Sequence, residues 1–120
     1  MRKVLVVDDD TSVRRVISQI LACMGYEVMT AANGLDGLDL FRSKSDQIDL
    51  VITDLRMPIM NGYEAVHGIR QLKPAARIIC MSSYAGQALP SGTVFLPKPF
   101  SLAAVQDCVD RALSGVPAAS

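Results

Sequence analysis

Several residues of this chain stand where apolar runs stop, and their types suit phosphoryl chemistry. Asp8, Asp9 and Asp10 close the run Val4-Leu5-Val6-Val7, and Asp54 closes the run from Ile48 to Thr53. Ser82 and Ser83 follow Arg77 to Met81, and Lys98 follows Thr93 to Leu96. Carboxylates crowded into one crevice repel each other and need either raised pKa values or a cation. Hard oxygen donors suit Mg²⁺ or Mn²⁺, and Mg²⁺ commonly binds carboxylates together with phosphate oxygens. A carboxylate can itself be the nucleophile, giving an aspartyl phosphate. A cation, a hydroxyl and a lysine would then stabilise the transferring group. Taken singly, each residue has a plainer role: a strand-end Asp caps a helix or forms a turn, and a lone Lys is a solvated charge. Only a shared edge makes the chemistry.

The elements that must position them can be read from periodicity. The run Val4 to Val7 is short and mostly β-branched, which predicts a buried strand. Val13, Val16, Ile17, Ile20, Leu21 and Met24 fall on one helical face. Asp10, Thr11 or Ser12 can cap that helix, and Gly25 can end it. Glu27 to Thr30 reads as a weaker strand, Asn33-Gly34 as a turn, and Leu35, Leu38 and Phe41 as a second, short helix. After the strand from Ile48 to Thr53 comes a loop holding Pro58. A third helix spans Gly62 to Leu72, with Ala65, Val66, Ile69 and Leu72 inward, and Lys73-Pro74 ends it. Arg77 to Met81 and Thr93 to Leu96 read as the fourth and fifth strands. Leu102, Val105, Val109, Ala112 and Leu113 form a terminal helix capped by Ser101, and residues 115–120 read as a flexible tail after a domain of residues 1–114. Strands apolar throughout, alternating with helices, predict a doubly wound α/β fold with a parallel sheet covered on both faces. Right-handed crossovers then bring the C-terminal strand ends to one edge, where such sheets bind ligands.

Composition removes other classes. The chain has 120 residues, half of them hydrophobic, which is enough for one core. Lys plus Arg and Asp plus Glu number 12 each, for a net charge of zero. That balance argues against direct nucleic-acid binding and against a polybasic membrane anchor. Four apolar residues after Met-Arg-Lys are too few for a secretory leader, and the stretch from Ile78 to Pro97 is too broken by Ser, Gly and Pro to insert into a membrane. Cys23, Cys80 and Cys108 are odd in number and sit among apolar neighbours, so they read as buried free thiols of a cytoplasmic protein. His67 lies on a helix surface and carries no chemistry. The methionines read as core fillers, and no G-x-G-x-x-G follows the first strand.

Four strings, taken in order, resemble the receiver domain of two-component response regulators. They are residues 4–10 (Val-Leu-Val-Val-Asp-Asp-Asp), 53–58 (Thr-Asp-Leu-Arg-Met-Pro) with Asn61-Gly62 following, 78–83 (Ile-Ile-Cys-Met-Ser-Ser) and 95–100 (Phe-Leu-Pro-Lys-Pro-Phe). The resemblance covers residues 2–114 and implies a flavodoxin-like sheet in the order 2-1-3-4-5. It implies that Asp54 accepts a phosphoryl group from a histidine kinase or a histidine phosphotransfer protein. Asp9 resembles the direct metal ligand, Asp8 its partner acting largely through water, and the Arg56 backbone carbonyl a further ligand. Ser82 resembles the switch hydroxyl and Lys98 the lysine that pairs with the phosphoaspartate, with a cis Lys98–Pro99 bond. Arg56 and Tyr84 stand where the family gates the attacking water; both are bulky, which implies slow self-dephosphorylation. Phe95 stands at the family's aromatic switch position but lacks a hydroxyl. The exposed face of the first helix, with Arg14-Arg15, lies where family kinases and phosphotransfer domains dock, although those arginines also read simply as a solvated face.

One departure is large. Lys98 follows Ser82 by only 16 positions, which leaves room for at most one turn where the family has its fourth helix. The fourth helix is therefore expected to be short or absent, and dimerisation through its surface is not carried over. The kinase-like string at 95–100 and the short interval resemble receivers attached to hybrid histidine kinases. Two rivals stand beside this reading. One is a degenerate receiver acting as an interaction module without phosphorylation. The other is a Mg²⁺-dependent phosphohydrolase, which usually has an acid two residues beyond the nucleophile, where this chain has Arg56.

Overall fold

Because its residues alternate between two buried faces with no polar interruption, the segment Lys3–Val7 forms a central strand, β1, with Val4 to Val7 almost wholly buried. In the computed structural model, which describes residues 2–83 and 88–114, the remaining elements follow in the expected alternation. They are α1 (Thr11–Cys23), β2 (Glu27–Ala31), α2 (Gly34–Lys44), β3 (Ile48–Asp54), α3 (Gly62–Leu72), β4 (Ile78–Ser82), β5 (Val94–Pro97) and α4 (Leu102–Ser114). The sheet is parallel, in the order β2-β1-β3-β4-β5. From β1 the chain steps to β2 at one edge and then crosses to β3 on the other side, so the strand order reverses there and a crevice opens at the C-terminal ends of β1 and β3.

Period-2 alternation divides the strand side chains into two cores. Val4, Val6, Leu50, Ile52, Ile79, Met81, Val94 and Leu96 pack under Ile17 and Leu21 of α1 and Val105 and Val109 of α4. Leu5, Val7, Val51, Ile78 and Cys80 pack under Leu38 and Phe41 of α2 and Val66 and Ile69 of α3. Four methionines, Met24, Met29, Met57 and Met60, pack against these cores, and Met81 lies inside one. No helix among the described residues is long and apolar enough to cross a membrane.

The caps match the sequence signals. Asp10 caps α1 by accepting from Ser12 N and Val13 N, and the Ser101 hydroxyl accepts from Ala104 N at the start of α4. Asn61 and Glu64 form a capping box on α3. Gly25 follows α1 with φ +93°, a conformation that favours glycine.

Several expectations need correction. Val16, Leu35, Leu72 and Leu102, read as inward, are 46%, 42%, 45% and 54% exposed. Each lies at the margin of its helical stripe, which is wider than the strip the sheet can cover. Cys23 is exposed rather than buried, while Cys80 and Cys108 are buried. The second helix is not short, since it runs for 11 residues. Between β4 and β5 the described residues contain no helix. In its place the segment after Ala88 is tied to α3. The Tyr63 hydroxyl donates to the Ala88 carbonyl at 2.5 Å, and the Arg70 guanidinium donates to the carbonyls of Ser91 and Gly92. Tyr84 and the tail over 115–120 lie outside the described residues.

Candidate functional site

Backbone bonds that extend the sheet bring the strand ends together. Asp8 N donates to the Ala31 carbonyl, Leu55 N to the Met81 carbonyl, and Lys98 N to the Ser82 carbonyl at 2.9 Å. The last bond carries β5 pairing one residue beyond Pro97, so Lys98 leaves the sheet beside Ser82. Its peptide to Pro99 is cis. Close approach of α3 to the end of β3 requires glycine at position 62. A Cβ there would stand 2.2 Å from the Asp54 carbonyl oxygen, inside any tolerable contact. The glycine of the Asn61-Gly62 pair that follows β3 therefore has a steric reason.

Asp8, Asp9 and Asp54 each place a carboxylate oxygen within 4.8 Å of the others. Asp8 is fully buried, Asp54 nearly so, and Asp9 is exposed. Lys98 Nζ bridges the two buried acids, at 2.8 Å from Asp8 Oδ2 and 3.3 Å from Asp54 Oδ2. The other Asp8 oxygen accepts from Asp10 N at 2.9 Å. Asp10 thus serves the turn and the helix cap and is not one of the three clustered acids. Ser82 is buried at the end of β4. Phe95 is half-buried, pairs with Cys80 across the sheet, and accepts from the Cys108 thiol through its carbonyl. Arg56 is exposed, and its backbone N–H hydrogen-bonds to the Asp54 carboxylate.

The electrostatics follow from burial and neighbours. Burial and the negative charge of Asp8 push the Asp54 carboxyl above its usual range, against the pull of Lys98 and the Arg56 N–H. Burial alone would lower Lys98, but its hydrogen bond to Asp8 and the charges of Asp8 and Asp54 outweigh burial and raise it. The three acids supply hard oxygen donors of mixed exposure, one facing solvent, which fits a Mg²⁺ ion that keeps some of its waters. With one lysine shared between two buried acids, the pocket carries excess negative charge that a divalent ion would balance.

Sequence reasoning placed Asp8, Asp9, Asp54, Ser82 and Lys98 on one edge, and the structure gathers them there. It did not find the part played by Arg14. Arg14 Nη1 donates to the Asp8 carbonyl at 2.6 Å, and Nη2 donates to Thr11 Oγ1 at 3.2 Å. The signal was a cation in the first turn of a helix, where the helix dipole disfavours it.

Comparison with known proteins shows the family. A family model described as the response regulator receiver domain matches residues 4–110. The chain is 41% identical over 118 residues to the DNA-binding transcriptional regulator NtrC of Azospirillum brasilense, covering 92% of this chain and 24% of that protein. The chain thus spans about a quarter of the length of that relative. Response regulator protein TrrA of Thermotoga maritima, solved in complex with Mg(2+)-BeF, superposes with a TM-score of 0.85 at 32% identity, over 94% of this chain and 100% of that one. The receiver domain of the hybrid histidine kinase CckA superposes with a TM-score of 0.82 at 32% identity, over 92% of this chain and 98% of that one.

Proposed function

We propose that this chain, which belongs to the response regulator receiver domain family, accepts a phosphoryl group on Asp54 with the help of Mg²⁺ or Mn²⁺. The observation that carries the reading is the meeting of three carboxylates and one lysine at the sheet edge, with Ser82 buried on the neighbouring strand end. The donor is a phosphohistidine on a histidine kinase or a histidine phosphotransfer protein. An Asp54 carboxylate oxygen attacks phosphorus, the bond from phosphorus to the donor nitrogen breaks, and the imidazole leaves with that electron pair. Asp8, Asp9, Asp54 and the Arg56 carbonyl would hold the metal, which supplies charge neutralisation to the phosphoryl oxygens.

Lys98 then has a new partner. The phosphoryl group adds negative charge on Asp54, and Lys98 moves its ion pair from Asp8 toward that charge. The Ser82 hydroxyl donates to a phosphoryl oxygen, which draws the end of β4 toward the site. Phe95, which pairs on β5 with Cys80 two residues before Ser82, follows by repacking. Through these shifts phosphorylation favours one of two conformations and changes which partner binds. Arg56 and Tyr84 shield the acyl phosphate from water and make its hydrolysis slow. The receiver unit is residues 1–114, and its phosphate turnover is that of a switch.

The test is incubation with acetyl phosphate and Mg²⁺, followed by intact mass. One added phosphoryl group, lost in Asp54→Asn, supports the reading. No gain supports the interaction-module alternative, and multiple turnover of phosphoesters supports a hydrolase.

A further inference from the structure

We propose that Arg14 is a positioning residue for the metal site, acting through the backbone of Asp8, and this rests on the metal-assisted reading above. The turn from β1 to α1 carries two of the three clustered acids, Asp8 and Asp9, with the exposed Asp9 at its tip. A ligand on an exposed turn binds well only if the turn is held in place before the ion arrives. Several contacts hold this turn, among them the ion pair of Asp8 with Lys98 and the capping of α1 by Asp10. Asp8 N donates to the Ala31 carbonyl on β2, Asp10 N donates to Asp8 Oδ1, and Arg14 Nη1 donates to the Asp8 carbonyl. Among the described contacts it is the last that fixes the peptide plane between Asp8 and Asp9, because the Asp8 carbonyl and the Asp9 N–H belong to the same rigid amide. Rotation of that plane would swing the Asp9 carboxylate away from Asp8 and Asp54.

Two further observations separate this role from that of a solvated surface charge. Arg14 is half-buried, and its two terminal nitrogens both donate, one to the Asp8 carbonyl in the turn and the other to Thr11 Oγ1 at the start of α1. Its 2.6 Å bond to the Asp8 carbonyl is charge-assisted and short. Arg14 also stands against local preference. The first turn of α1 holds no acidic residue, and a cation there opposes the positive end of the helix dipole. Arg15, its exposed neighbour, makes no such contact among those described. Removing Arg14 therefore takes away the brace, and the metal site loses its alignment.

The experiment is isothermal titration of Mg²⁺ into wild type, Arg14→Met and Arg14→Lys. Each is measured where its metal-free form is fully folded by circular dichroism. Groups that orient metal ligands from outside typically cost 10–100-fold in affinity when lost, so Arg14→Met is expected to bind Mg²⁺ about tenfold more weakly. Arg14→Lys, which keeps one donor, falls between the two. In phosphorylation by acetyl phosphate, the half-saturating Mg²⁺ concentration rises by the same factor, and the rate at saturating Mg²⁺ returns to that of wild type. A Mg²⁺ constant for Arg14→Met within twofold of wild type overturns the inference, as does a rate that stays reduced at saturating Mg²⁺. Wild type that binds no Mg²⁺ overturns the underlying reading, and the inference with it.

Discussion

Lys98 Nζ lies closer to Asp8 than to the proposed acceptor Asp54, at 2.8 Å against 3.3 Å, and ties together strand ends 90 residues apart in sequence. Asp8 has no solvent exposure, so this lysine is the principal charge compensating it. Loss of one partner from a buried pair leaves the other stranded, typically at about 3 kcal/mol or more. Lys98→Met is therefore expected to lower metal-free stability by about 3 kcal/mol in urea titration. A divalent ion supplies a replacement counter-charge, so Mg²⁺ should raise the melting temperature of Lys98→Met by more than that of wild type. Equal shifts in the two proteins would contradict the account of Lys98.

Access of water to the acyl phosphate sets the second prediction. Arg56 follows the proposed acceptor by two residues, and its backbone N–H bonds to the Asp54 carboxylate. A large side chain near the phosphoryl group excludes water. The Arg56→Ala, Tyr84→Ala double variant should lose its phosphoryl group faster than wild type when decay is followed by intact mass after donor removal. An unchanged or longer half-life rules out the shielding role.

Backbone strain sets the third. Ile59 adopts φ 71°, in the left-handed region, while 75% exposed. A β-branched residue there is strained, at a cost of about 1–3 kcal/mol, whereas Asn tolerates the region. Ile59→Asn should raise the urea midpoint, with a gain of about 1 kcal/mol. A lowered midpoint would show that the exposed Ile59 side chain contributes packing that outweighs the strain.

The thiols give a fourth prediction, and one with a pH sign. At pH 8 a thiol-specific reagent should label one cysteine per native chain promptly, Cys23, and all three after denaturation. Prompt native labelling of Cys80 would contradict its burial. Burial pushes the Cys80 thiol up to about 11. The unfolded chain loses that proton earlier, so the stability this group contributes is present below about pH 9 and lost as pH rises toward about 11. Cys80→Ala should flatten the fall in melting temperature over that range.

Much of the site was legible because each strand that carries it is an apolar run ending on a polar residue. Asp8, Asp54, Ser82 and Lys98 mark strand ends in the sequence itself, and parallel topology brings such ends to one edge. What the sequence hid were relationships between distant residues. Nothing in the local pattern around Lys98 says that it favours Asp8 over Asp54. Arg14 reads as a solvated helix cation until the path of its side chain to the Asp8 carbonyl is known. The short interval after Ser82 left little room for a helix, and among the described residues there is none, but the sequence did not say that Tyr63 and Arg70 on α3 would bind Ala88, Ser91 and Gly92. Helical periodicity also overstated burial at Val16 and Leu102, since a repeat of 3.6 residues marks a stripe and not its covered width.

The central claim is that Asp54 is the phosphoryl acceptor. Its most direct test is borohydride reduction of the chain after treatment with acetyl phosphate and Mg²⁺, followed by peptide mass mapping. Hydride reduces an acyl phosphate to the alcohol, so an aspartyl phosphate becomes homoserine. The account predicts homoserine at position 54 and nowhere else, dependent on Mg²⁺ and absent without the donor. Homoserine at another aspartate, or at none, would contradict it.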